Sequence, residues 1–174
     1  MKVHRILAVL LTLTLFLTSC ALQNAVETDI YKGDSLALGI IGEPPEVRET
    51  NTTFVEIGFE DLIDSDFESK YDAIFITKEN LSKAADSEFA EVYKTSNIPF
   101  FFIQTTKGYI PFVKEDLSND DAPEVPDSSY ITGIHYEKNR RWSFCLYNDI
   151  ENSINIEDVY SRVFITISEN AVST

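Results

Sequence analysis

Positive charge is scarce in this 174-residue chain: 14 lysines and arginines face 29 aspartates and glutamates, a formal net charge of −15 with a pI near 4.4. Such a field repels phosphate backbones and anionic lipid surfaces, so nucleic acid is excluded as a partner. Histidine is scarcer still, with only His4 and His135. Glycine and proline number 6 each, and no internal repeat is visible. That excludes collagen-like, linker-dominated and solenoid architectures. What is there is an ordinary globular composition, 44% hydrophobic and 25% charged, which suits one compact acidic domain with its own core.

A long apolar run is also missing. Ile6 to Leu17 is apolar apart from Thr12 and Thr14 and follows Lys2 and Arg5, the layout of a secretory signal. A span of the hydrocarbon core needs about 20 apolar residues, and this run stops at Ser19 and Cys20. Leu17-Thr18-Ser19-Cys20 resembles the lipobox of bacterial lipoproteins, an aliphatic residue and two small ones before an obligatory cysteine. The resemblance covers the first 20 residues. It implies a signal peptide over 1–19, cleavage before Cys20, a diacylglycerol on the Cys20 thiol, and an extracytoplasmic, lipid-anchored place on the bacterial cell membrane. Ala21 supplies no aspartate retention signal, so an outer-membrane address stays open where two membranes exist. Losing Lys2 and Arg5 takes the charge from −15 to about −17, so acyl chains, at roughly 0.8 kcal/mol per buried methylene, must hold the protein against repulsion. The lipidated cysteine and a tether then occupy 20–34, the tether reaching up to ~50 Å when extended. With Cys20 lipidated, Cys145 has no disulfide partner.

Residues 35–170 read as a single domain. Ser35–Gly42 is a buried strand stopped by Glu43-Pro44-Pro45, and Thr53–Phe59 alternates as a strand with one drier face. A short helix over Glu60–Phe67 and a strand over Tyr71–Thr77 follow. Leu81, Ala85, Phe89 and Val92 then recur at helical spacing up to Tyr93, with Thr77 placed to cap. Ile98–Gln104 is the most hydrophobic strand, and Phe100 to Phe102 put rings on both faces, as in a central strand covered by helices on each side. About ten residues with two prolines link the first two strands, so either an extended loop or an antiparallel pair fits there. Lys114–Ser129 is a polar loop, and Tyr130–Tyr136 with Trp142–Tyr147 forms a hairpin. Asn155 and Asp158 are placed to cap a last helix in which Ile156, Tyr160, Val163 and Ile167 share a face. The expectation is an α/β fold: a three-layer domain with a mainly parallel sheet and a C-terminal β-hairpin plus helix.

Few residues invite chemistry. With one imidazole left in the mature chain, a multi-histidine metal site is excluded, and His135 reads as an ordinary strand histidine. Cys145 reads as a small packing residue. Gly39 to Gly42 lacks the remaining elements of a phosphate-binding turn, and the acidic loop 115–127 lacks the ligand spacing of a calcium loop. No cofactor and no metal are expected. Because ligands of open α/β sheets sit beyond the strands' carboxyl ends, Glu43, Glu60, Thr77, Glu79 and Gln104, with Thr105, form a candidate ligand or cation site. Attraction of acidic groups to helix N-termini explains the same carboxylates without a ligand. Tyr136, Arg140, Arg141 and Trp142, supported by Tyr130, Tyr147 and Lys138, form a candidate contact for an envelope protein, being residue types that dominate interfaces. The expected function is a membrane-anchored, non-enzymatic binding or interaction module of the cell envelope. The alternatives are a small-solute receptor and an accessory hydrolase using the strand-end carboxylates.

Overall fold

The computed structural model describes residues 28–63, 66–126 and 129–171; the expected signal segment, Cys20 and the expected tether up to residue 27 lie outside them. The elements run β1 (Leu36–Ile41), β2 (Thr52–Glu56), α1 (Phe67–Lys70), β3 (Ala73–Ile76), α2 (Leu81–Ala84), α3 (Ser87–Thr95), β4 (Phe100–Ile103), α4 (Ile110–Val113), β5 (Ser129–His135), β6 (Arg140–Cys145) and α5 (Ser153–Ala171). Single 3-10 turns occupy Phe59–Leu62, Lys78–Asn80 and Tyr147–Asp149. The strands form one sheet in the order β2-β1-β3-β4-β5-β6. The first four are mutually parallel, and β5 and β6 are antiparallel to their neighbours.

The phenylalanine triplet explains the layering. Phe101 joins the cluster under α5, with Leu38, Ile40, Phe75, Val159, Tyr160, Val163 and Phe164. Phe100 and Phe102 join the opposite cluster, with Phe59, Leu62, Phe67, Phe89, Tyr93 and Phe112. Each fully buried ring contributes roughly 1.5–3 kcal/mol, so neither face can be left wet. Phe101 pairs with Gly133 on β5, and a Cβ there would strike its ring. The bare glycine lets Phe101 stack on Trp142 of β6 at 6.0 Å.

The link between the first two strands is an extended loop and the pair is parallel, with Leu36 opposite Thr52. Residues 42–51 cross on the α5 face, where Val47 packs, while 3-10 and helical turns cover the other face on the way to β3. The hairpin turns through Asn139, whose φ of 52° places it in the left-handed region that asparagine tolerates.

Three local expectations are corrected. The helix drawn from Leu81 to Tyr93 is two helices, because Asp86 takes extended angles and restarts the chain as the N-cap of α3. Thr77 holds the N-cap position of the preceding 3-10 turn, yet its hydroxyl accepts from the Asn80 side chain at 3.0 Å instead of from the main chain. The last helix is capped by Asn152, whose Oδ1 accepts the Asn155 N–H at 2.8 Å. Asn155 is buried and donates to the Ile150 carbonyl, and buried Asp158 accepts from Arg162.

The packed chain also begins before Ser35. Tyr31 is buried against Phe164, its N–H donates to Glu49, and its hydroxyl donates to the Asp34 carbonyl. Arg48 donates to the Thr28 carbonyl at 3.0 Å and to the Ser161 hydroxyl at 3.0 Å, Ser161 donates to Glu49, and the Thr28 hydroxyl donates to Asp158. Residues 28–34, expected as the end of a tether, are strapped to α5.

Candidate functional site

At the carboxyl edge of the sheet, Glu43, Glu60, Thr77, Glu79 and Gln104 each follow the carboxyl end of one of the parallel strands β1 to β4. The strand order switches direction between the parallel neighbours β1 and β3, where an open sheet leaves a crevice. Here Thr77 fills it: Gly42 has φ 119°, and a Cβ on it would overlap the Thr77 hydroxyl. Asn80 closes the crevice further, donating to Thr77 Oγ1 and to the Ile41 carbonyl at 3.3 Å. Glu43, Glu60 and Glu79 are exposed, and Thr77 is buried. A depression of about 320 Å³ at this edge is lined by Lys78, Gln104, Thr105, Tyr130 and Asp149, without any of those three glutamates. Gln104 sits at φ 55° and donates to Glu151 at 3.0 Å. Burial, with Glu151 nearby, raises the Tyr130 phenol above its ordinary pKa and keeps it a neutral donor. Among the described residues, no group of three His, Cys, Asp or Glu is spaced to hold a metal ion, and no helix is long and apolar enough to cross a membrane.

The hairpin splits its expected contact residues. Tyr136 is 39% exposed and Arg140 is exposed. Trp142 is half-buried on Phe101, while the Arg141 guanidinium lies over the Tyr109 ring at 4.6 Å. Arg141 and Trp142 also line a hollow of about 450 Å³ with Tyr109, Ile110, Val125 and Thr132. Cys145 is exposed on β6, so it is not the packing residue expected.

The larger cavity lies at the opposite, amino edge. It measures about 570 Å³ and is walled by Glu68 of α1, Tyr71 and Asp72 before β3, Asn97 to Pro99 before β4, His135, Glu137 and Lys138 of the hairpin, and Ile167, Asn170 and Ala171 of α5. His135 is 2% exposed and Asn170 5% exposed, yet both imidazole nitrogens and the Asn170 Oδ1 lack a hydrogen-bond partner. The Asn97 main chain lies close to the ring and favours a proton on it, the weakest of the influences on His135. Desolvation first, then Lys138 and Arg140, lower the His135 pKa against the pull of Glu137, so the ring is neutral. A neutral imidazole offers one donor and one acceptor. Leaving such buried groups unpaired costs about 1–3 kcal/mol each, which a structural role does not recover.

Sequence reasoning read His135 as an ordinary strand histidine and passed over Asn170, although a signal existed for both. His135 falls on the strand face of Ile131, and Asn170 continues the Val163–Ile167 stripe of α5. Each is a polar residue at a position that periodicity assigns to the core. Comparison with protein-family models, with curated proteins and with solved structures returned no match, so the geometry alone speaks for this site.

Proposed function

We propose that this chain is a lipid-anchored, extracytoplasmic binding module whose α/β domain takes a ligand at the amino edge of its sheet without transforming it. The observation that carries the binding reading is the cavity wall, where two side chains more than nine-tenths buried present polar atoms that nothing in the fold satisfies. Support for the anchor is Leu17-Thr18-Ser19-Cys20 after a short apolar run. The experiment fractionates cells expressing the full chain and its Cys20→Ala variant. The variant is expected in the soluble exported fraction, and its retention with the membrane at the level of the unaltered chain rules the anchor out.

A second reading has one observation in its favour. β6 is an edge strand with exposed residues along it, and Tyr136 and Arg140 stand clear at its turn on a strongly acidic molecule. A basic spot in that field orients an acidic envelope protein. Under this reading Arg140→Glu abolishes capture of that partner and leaves the amino-edge cavity unaffected.

A further inference from the structure

The amino-edge cavity offers more acceptors than donors. Glu68 spends one oxygen on the Asn97 N–H at 3.1 Å, and Asp72 spends one on the Ala37 N–H at 2.8 Å. Each carboxylate carries a second oxygen, Glu137 adds a third acidic group, and Lys138 is the single cation in the wall. Asn170 donates its Nδ2 to the Thr166 carbonyl at 2.6 Å, which fixes the amide and leaves Oδ1 as the atom without a partner. Against these acceptors stand the Lys138 ammonium, the Tyr71 hydroxyl, the Asn97 amide and one N–H of a neutral His135, so the wall carries three carboxylates to one cation. The apolar part of the wall is the Tyr71 ring, Ile98, Pro99, Ile167 and Ala171.

Resting on the binding reading above, we infer that the cavity takes a small organic cation, a primary ammonium on a compact apolar body. The ammonium's three N–H donors meet Asn170 Oδ1 and the carboxylates, and the body lies against Tyr71, Ile98 and Ile167. An anionic ligand of the same size faces three carboxylates and leaves Asn170 Oδ1 unpaired. A neutral alcohol supplies one donor where the wall asks for several. The volume, about 570 Å³, falls inside the range of small-molecule sites. The neutral imidazole adds no charge to oppose a cation.

The test is calorimetric titration of the full chain in a non-ionic detergent with three probes of one size, benzylammonium, benzyl alcohol and benzoate. Benzylammonium is expected to bind saturably, and Asn170→Leu is expected to weaken it at least tenfold. Tighter binding of benzoate or benzyl alcohol, or no saturable binding of benzylammonium, overturns the ligand class. Benzylammonium binding unchanged in Asn170→Leu places the probe elsewhere and overturns it too. The binding reading itself is checked separately, on thermal unfolding without probe. If the two polar groups serve a ligand, Asn170→Leu and His135→Leu each raise Tm by removing an unsatisfied buried group. A lower Tm in both assigns them to the fold, and the cavity reading then falls whatever the probes do.

Discussion

His135 keeps its imidazole neutral where the same ring in water begins to protonate, because burial above all, with Lys138 and Arg140 behind it, opposes the proton. The folded pKa is lowered, so on acidification through the ordinary value of 6.5 the unfolded chain takes up a proton that the folded chain refuses. This contribution to stability is full above 6.5 and is lost as pH falls toward the folded pKa. The slope cannot exceed one proton, about 1.4 kcal/mol per pH unit. Thermal melts from about pH 7.5 down to about pH 5 are expected to show the unaltered chain losing more Tm than His135→Leu; parallel curves refute the coupling. The two hairpin arginines separate in a similar way. Arg141→Glu gives up the contact over Tyr109 and costs about 1 kcal/mol, whereas Arg140→Glu stays within about 0.5 kcal/mol in urea unfolding. At this scale the sequence was legible in residue types and not in partners. Arg140 and Arg141 are adjacent letters, and only the strand's two faces decide that one of them rests on a tyrosine.

Elements were legible wherever one periodicity ruled. Phe100 to Phe102 announced a strand buried on both faces, and Tyr160, Val163 and Ile167 carried the last helix through a β-branched run because their spacing matches a single stripe. Legibility failed where a contact distant in sequence decides. The break at Asp86 and the docking of residues 28–34 depend on surfaces that form only in the fold. Arg48 is the centre of that docking, since it holds Thr28 and Ser161 and lies 4.0 Å from the buried Glu49. Replacing Arg48 with Ala leaves Glu49 without that charge and is expected to cost about 3 kcal/mol in urea unfolding. Limited proteolysis of the variant is expected to cut first within residues 28–34. Cleavage patterns identical to the unaltered chain would show that the strap holds without Arg48.

For the whole molecule, excess negative charge is a standing cost of compactness. Raising salt from about 10 mM to about 0.5 M shortens the range of that repulsion and is expected to raise Tm, and a fall instead means that ion pairs dominate. The mixed sheet was legible at this scale, but the cavity's edge was not, since Gly42, Thr77 and Asn80 close the crevice where open sheets hold ligands. The strap has a further meaning under the proposed anchor. Lipid on Cys20 and a chain fastened at Thr28 leave only residues 21–27 between them, a line of about 25 Å at full stretch. The mooring point sits beside Asp158, twelve residues of helix from Asn170 and so about 18 Å along α5 from the cavity. Were Cys20 lipidated, this mooring would keep the carboxyl edge nearer the bilayer than the cavity mouth, and a ligand would reach the cavity from solution rather than from the lipid.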